Sequence, residues 1–247
     1  MQKNKNEKSA TFYYSYSINK KCEKNGKAFK ILFVGIAVFA VIVVFVVFAK
    51  MKHNGTKKFS SCAYLVIVGS FDNASEAKDY SEKVEKSGGS GFVFVDDKYE
   101  VIAFAYPKLA LAEMVQKNLI DSGWKAKIKR ININGGNKGL TAMQKSAKSF
   151  LFYCITKLYD LAIHYDSKAI NSVGVHKNLS KIGRECIQYA EKLNLDGDDI
   201  RKCLEEIELN IKNFLKESYS NNLYSSGIKY LCVKVICLCF ELSGGAL

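Results

Sequence analysis

One uninterrupted apolar stretch, residues 31–49, constrains the fold of this 247-residue chain more than any other feature. Its nineteen residues carry no charge and no strongly polar group. As an α-helix the stretch would extend roughly 28 Å, which is close to the thickness of a bilayer hydrocarbon core. A buried core helix would carry polar residues on one side, and a cleaved signal peptide would have a shorter apolar run nearer the start. The stretch therefore predicts an uncleaved single transmembrane helix.

Basic residues on both sides of this predicted span indicate its orientation. Residues 1–30 contain eight Lys and two Glu, and residues 50–58 contain four Lys. The flank that is richer in Lys and Arg usually stays in the cytoplasm. We therefore expect a single-pass protein of the cell membrane with a cytoplasmic N-terminus and extracytoplasmic C-terminal domains. Residues 1–30 are interpreted as a basic disordered tail that can lie on the lipid bilayer, and residues 50–61 as a polar linker.

The overall composition narrows the class of protein without selecting a partner. The chain has 37 Lys and Arg against 24 Asp and Glu, a formal net charge of +13. Such an excess suits nucleic acid, anionic lipid headgroups or anionic wall polymers, and a diffuse Lys excess is also typical of ordinary surfaces. An apolar fraction of 48% excludes a largely disordered chain.

Residues 62–134 contain an internal repeat at an offset of 35. The matched positions are Tyr64 and Tyr99, Val66 and Val101, Ile67 and Ile102, Ala77 and Ala112, Ser87 and Ser122, and Gly88 and Gly123. Each half reads as strand, helix, strand, from its β-branched runs, its helical periodicity and its terminal Gly. The order β-α-β-β-α-β predicts an α+β fold in which a four-stranded antiparallel sheet carries two helices on one face.

The run YLVIVGSF at 64–71, the following helix with Ala77, Gly88 and the half-repeat from Tyr99 resemble the SPOR (sporulation-related repeat) domain family. The resemblance covers residues 62–133 and implies the fold just described. It also implies a bacterial cell-envelope protein that binds septal peptidoglycan in cell division or sporulation. The expected ligand is then the peptidoglycan glycan strand, especially after removal of the stem peptides.

Strand alternation predicts which residues line the sheet face that the two helices leave open. The candidate glycan- or partner-binding residues are Leu65, Ile67, Ser70, Glu100, Ile102, Phe104, Lys127 and Lys129. SPOR domains typically carry a polar residue, often Gln, where this chain has Ile67, and usually a Gly where it has Phe104. The predicted face is thus apolar at its centre, with Lys127 and Lys129 at one edge.

Two interpretations of this face stay open. It binds glycan weakly, or it has lost glycan binding and packs on the helical domain or on a protein partner, as large apolar patches usually do. Ser70 is the one polar residue typical of the family that this chain keeps. It is either part of the site or caps the turn before the helix. Trp124 is either a sugar-stacking residue or a contact of a small satellite core.

The C-terminal part is predicted to be all helical. Residues 135–140 form a Gly-rich linker, and residues 141–247 contain no Pro and no alternating pattern. Four helices are expected at about 141–165, 170–193, 197–218 and 222–242, and four helices of this length can form a bundle domain. The last helix is very apolar but short and contains Lys234, which favours a core helix over a second span. This bundle could engage a division or sporulation protein.

No pattern in the chain predicts catalysis. The motifs of hydrolases, zinc peptidases and phosphate-binding loops do not occur, so we expect a non-enzymatic protein without a metal or cofactor. The eight Cys contain no Cys-x-x-Cys pair, and most fall in apolar helical patterns, where they are predicted to be small buried side chains. A nucleic-acid partner is not expected, because the sheet lacks the stacking aromatics of RNA-binding sheets.

Overall fold

The computed structural model describes residues 59, 61–136, 138–193, 198–217 and 219–244. The predicted tail and the predicted transmembrane helix lie outside these residues, as does most of the predicted linker. The described residues form four strands and six helices in a mixed α+β fold.

The elements follow the predicted order. Their bounds are β1 Cys62–Phe71, α1 Ala74–Lys86, β2 Phe92–Val95, β3 Tyr99–Tyr106, α2 Leu109–Asp121, β4 Lys127–Asn132, α3 Ala142–Asp166, α4 Ser172–Lys192, α5 Asp199–Lys216 and α6 Asn221–Leu242. Side chains cap several helices where the sequence has Asn, Asp or Thr. Asn73 accepts a hydrogen bond from the Glu76 N–H, and Thr141 forms a reciprocal capping box with Gln144.

The four strands pair in the order β2-β3-β1-β4, and every pair is antiparallel. This confirms the predicted four-stranded antiparallel sheet. Tyr64 lies opposite Tyr106 on β3, and Cys62 lies opposite Asn132 on β4, so these four residues mark one end of the sheet. The pairing of β1 with β3 shifts register between Val66 and Gly69, which adds a bulge at the centre of the sheet.

The 35-residue repeat appears in the ends of α1 and α2. The Ser87 hydroxyl donates to the Lys83 carbonyl, and the Ser122 hydroxyl donates to the Asn118 carbonyl. The following residue is Gly in both halves, and both glycines adopt the left-handed region, with φ of 84° and 85°. A residue without Cβ enters that region without steric cost, so each helix ends in the same way.

Helices α1 and α2 both contact β1 and β3. The fully buried side chains of a small cluster between α1 and the sheet are Val68, Ala77, Val84 and Val101. Half-buried aromatic side chains, including Phe71, Tyr80 and Trp124, surround this cluster. We call it the small cluster.

Helices α3 to α6 form the larger part of the hydrophobic core. Helix α6 contacts α3 and α5, and it also contacts α1, β2 and β3. One continuous cluster of buried apolar residues runs from β1 and β3 into all four of these helices. We call it the main core, and it joins the sheet to the C-terminal helices without a gap.

Within the described residues, one helix is long and apolar enough to span a membrane. This stretch is Asn222–Leu242, at the C-terminal end, whereas residues 31–49 lie outside the described residues. Two thirds of its most apolar window (67%) is buried against the rest of the protein. A helix that contacts neighbours on several sides becomes apolar around its circumference, so burial accounts for its composition.

Candidate interaction surface on the sheet

The centre of the predicted sheet face is buried. Leu65 and Ile102 are 0% exposed, Ile67 is 1% exposed and Phe104 is 4% exposed. In the pairing of β1 with β4, Lys129 lies opposite Leu65 and Lys127 lies opposite Ile67. Because directly opposed residues of an antiparallel pair point to the same side, the apolar centre and the two lysines share one face.

Helices α3 and α6 cover this face, and aromatic contacts define how they lie on it. The Phe104 ring stacks on Tyr159 of α3, with centroids 5.6 Å apart and planes 4° apart. Two rings of β2 contact α6, Phe92 with Tyr230 at 5.2 Å and Phe94 with Phe240 at 6.0 Å. The sheet therefore lies between two helical layers, α1 with α2 and α3 with α6.

The polar residues predicted at one edge of the face are brought together in an ion-pair network. Glu100 is 6% exposed and receives hydrogen bonds from Lys127 at 2.5 Å and from Lys129 at 3.0 Å. Lys129 also pairs with Asp96, and this hydrogen bond and charge lower the pKa of the Asp96 carboxyl. The Lys129 ammonium lies 4.8 Å from the centroid of the Phe94 ring. Both lysines of the predicted site are thus occupied by acidic partners of the same chain.

Ser70 and Trp124 are the other two candidates named from the sequence. Ser70 is exposed at the far end of β1, opposite Glu100 in the register. The side chain of Asn73, rather than that of Ser70, caps α1. Trp124 packs edge-on against Tyr80, with centroids 6.0 Å apart, as part of the rim of the small cluster.

A buried polar junction between α6, α3 and the end of α1 was not predicted from the sequence. The Lys229 ammonium pairs with Asp166 at 2.6 Å, and these two side chains are 13% and 12% exposed. Lys229 also donates to the Gly88 carbonyl at 2.6 Å, and the Ser225 hydroxyl donates to Asp166. Ser226 donates to the Glu85 carbonyl at 2.6 Å. We call Asp166, Ser225, Ser226 and Lys229 the polar junction.

The polar junction ties the repeat to the C-terminal helices by directional bonds. Its one signal in the sequence is a Lys near the start of the apolar helix α6. The sequence does not indicate which residues this Lys contacts, because Asp166 lies 63 positions away and Gly88 lies 141 positions away. The hydroxyl of Tyr159 on α3 is buried with no hydrogen-bond partner among the described residues.

The seven described cysteines are free thiols. Six of them are buried in the helical part, and Cys62 on β1 is half-buried. Burial raises the pKa of the Cys203 thiol to about 12, and burial also raises the pKa of the Cys232 thiol. Such thiols are poor nucleophiles and poor metal ligands at neutral pH. No group of three His, Cys, Asp or Glu with metal-binding geometry occurs in the part of the chain that the structure describes.

No protein-family model, curated protein or solved structure matches this chain.

Proposed function

We propose that this protein is a membrane-anchored, non-enzymatic interaction scaffold of the bacterial cell envelope. In this proposal its SPOR-like sheet has lost glycan binding, because the chain's own C-terminal helices occupy the face that would hold the glycan. Residues 31–49 anchor the chain, and the folded part presents outer surfaces of its helices to protein partners in division or sporulation.

The burial of Ile67 and Phe104 carries this proposal. A glycan site on the open face would need both side chains at the surface, with polar groups between them. Instead both are core residues, and α3 and α6 lie over them. The two substitutions that separate this chain from the family pattern, a polar residue replaced by Ile67 and a Gly replaced by Phe104, both add apolar surface that suits a covered face.

The strength of the cover argues that it is permanent. Full burial of one Leu, Ile or Phe side chain contributes roughly 1.5–3 kcal/mol. Leu65, Ile67, Ile102 and Phe104 together therefore contribute about 6–12 kcal/mol, before the aromatic contacts and the polar junction are counted. That sum is comparable to the whole stability of a typical domain, about 5–15 kcal/mol. Removing α3 and α6 from the sheet would amount to unfolding, so they do not act as a lid.

Electrostatics of the folded part also favour protein partners over an anionic polymer. Residues 59–247 contain 25 Lys and Arg against 22 Asp and Glu, which is nearly balanced. The excess positive charge of the chain is concentrated in residues 1–58, with twelve Lys and two Glu. A folded part without strong positive charge has little electrostatic attraction for an anionic wall polymer.

Pelleting with peptidoglycan sacculi tests this proposal. The full chain in mild detergent is mixed with intact sacculi and with sacculi whose stem peptides have been removed by an amidase. We expect the chain to stay in the supernatant in both cases, at the level seen without sacculi. Pelleting that increases after amidase treatment would overturn the proposal and assign a septal glycan site to the protein.

A further inference from the structure

The structure fixes where the folded part begins relative to the predicted span. Phe59 is buried and packs edge-on against Tyr159, with centroids 5.5 Å apart. Nine residues, 50–58, separate this anchored side chain from the last residue of the predicted span. Even fully extended, nine residues reach only about 30 Å. The end of the sheet where β1 begins therefore lies within about 30 Å of the end of the predicted span.

Three further segments meet at this end of the sheet. Cys62 lies opposite Asn132 and Tyr64 lies opposite Tyr106, so the end of β4 and the end of β3 with the start of α2 lie beside the start of β1. The Ile133 N–H donates to the Ser61 carbonyl at 3.0 Å. The sheet end near the tether thus consists of residues 104–112 and 126–140 together with the start of β1. We call it the tether end.

Two segments at the tether end carry charges of only one sign. Residues 104–112 and 126–140 contain Lys or Arg at five positions and no Asp or Glu. The C-terminal end of α6, which carries Glu241, also lies there, since the Ser243 hydroxyl donates to the Asn132 carbonyl. Lys127 and Lys129 are paired with Glu100, whereas Lys108, Arg130 and Lys138 are exposed and form no ion pair with the described residues. Leu109, in the first turn of α2, is 44% exposed.

The approach to this end is also free of acidic residues. Between Glu23 and Asp72 the sequence contains no Asp or Glu, and the nine tether residues include four Lys. A surface within reach of anionic headgroups attracts Lys and Arg over about one Debye length, roughly 8–10 Å.

We propose that the tether end is a membrane-contact surface, on which Lys108, Arg130 and Lys138 bind anionic lipid headgroups of the bilayer that holds the chain's own span. This inference rests on the membrane anchor of the proposed function. It holds the folded part against the membrane in a fixed orientation, with α4 and α5 free to meet other proteins. Lipid is favoured over an acidic protein as the occupant because nine residues limit the distance between this end and the predicted span to about 30 Å.

Amine-acylation footprinting of the full chain in nanodiscs tests the proposal. One set of nanodiscs contains phosphatidylcholine alone, and the other contains 30% phosphatidylglycerol. Headgroup contact covers an amine and raises its pKa, and both effects slow acylation. We expect Lys108 and Lys138 to react at least threefold more slowly in the anionic nanodiscs, and 0.5 M NaCl to remove the difference. Lys177 and Lys212, which are exposed on α4 and α5, should react equally in both.

A matched pair of variants isolates the contribution of Arg130. Arg130→Glu reverses a charge at the tether end, and Arg184→Glu reverses an exposed charge on α4. We expect the Arg130→Glu chain to lose at least half of the protection of Lys108 and Lys138, and the Arg184→Glu chain to keep it.

The possible outcomes test the membrane-contact surface and the membrane anchor separately. A chain that remains in the nanodiscs after alkaline carbonate treatment but shows equal acylation of Lys108 in both lipids would overturn the membrane-contact surface and leave the anchor intact. A chain that carbonate extracts would overturn the anchor itself. Protection of Lys108 and Lys138 in native membranes, with none in either nanodisc, would assign the tether end to a protein partner and overturn the lipid proposal.

Discussion

The two faces of the sheet are covered by hydrophobic clusters of different size. The face under α1 and α2 holds the small cluster, in which four buried side chains are surrounded by half-buried aromatic rings. The opposite face carries most of the main core, which continues into α3 and α6 and also includes Leu111 and Ala112 of α2. A β-α-β-β-α-β unit ordinarily buries the first face and leaves the second one open. In this chain both faces are buried, the second one under α3 and α6, and the resulting molecule has three layers.

The comparison teaches that a sheet face can change its role without a change of fold. The strand order and the repeated helix ends are those of the two-layer unit. Apolar side chains at positions such as Ile67 and Phe104 make the open face unstable in water, and another layer then becomes necessary. The same strands can therefore support either a ligand site or a core, depending on a few side chains.

Truncating one aromatic residue on each face should give the largest difference. Phe104→Ala removes a ring that contacts Tyr159 and Tyr106 inside the main core, and we expect a loss of about 3–5 kcal/mol in the free energy of unfolding. Phe71→Ala removes a half-buried ring at the rim of the small cluster, and we expect a loss of about 1–2 kcal/mol.

Urea unfolding provides the measurement for both variants, with two probes of different regions. Trp124 is the single Trp of the chain and reports the small cluster, and alkylation of the buried thiols reports the helical part. Coincident transitions would show that the two faces unfold together. Equal losses for the two variants would contradict the difference between the faces.

Breaking the polar junction should have the next largest effect. Asp166→Ala leaves the buried Lys229 ammonium without its carboxylate, and we expect a loss of about 3 kcal/mol. The double variant Asp166→Ala with Lys229→Met should recover stability to within about 1 kcal/mol of the parent chain, because no buried charge is left unpaired.

An exposed ion pair is the control for this experiment. Glu82→Ala breaks the pair with Lys86 on α1, whose side chains are more than half exposed, and should change stability by less than about 0.5 kcal/mol. Thermal or urea midpoints of the three chains, measured at one pH, give the comparison. An Asp166→Ala chain as stable as the Glu82→Ala chain would show that the junction does not hold the two halves together.

Introducing at position 67 the polar residue that SPOR domains often carry provides a further test of the difference between the faces. Ile67→Gln buries an amide in the main core, and we expect a loss of about 2 kcal/mol or slightly more. Ile120→Gln makes the same chemical change on α2, at a side chain that is 51% exposed, and should be nearly neutral. Urea midpoints are measured for both variants, together with sacculus pelleting. If Ile67→Gln retained full stability and gained glycan binding, the covered face would be refuted.

The sequence alone predicts much of the sheet, for physical reasons that act locally. Periodicity and turn residues determine β1, α1 and their repeat, and the caps at Asn73 and Thr141 follow from short polar side chains before apolar runs. The apolar side chains of Leu65 and Phe104 predict that their face is covered rather than exposed to water. These signals need only a few neighbouring residues.

What covers the face and what joins the two halves could not be predicted in the same way. An apolar face does not specify whether glycan, a partner or its own chain will cover it, so both interpretations had to stay open. The polar junction depends on residues 63 and 141 positions apart, whose meeting is a property of the complete fold. Ser70 and Trp124 illustrate the converse, because their residue types suggested a site, whereas Ser70 is exposed and Trp124 packs against the small cluster.

The order of synthesis gives the covered face a further consequence. The last strand of the sheet ends at Asn132, and the helix that completes its cover starts at Asn221. About 90 residues must therefore be made after the sheet can form, which takes roughly 5–20 s at typical rates of translation. During that interval each nascent chain presents an apolar sheet face that α6 does not yet cover. Expression of this protein is thus expected to depend on a chaperone that shields nascent chains until α6 arrives.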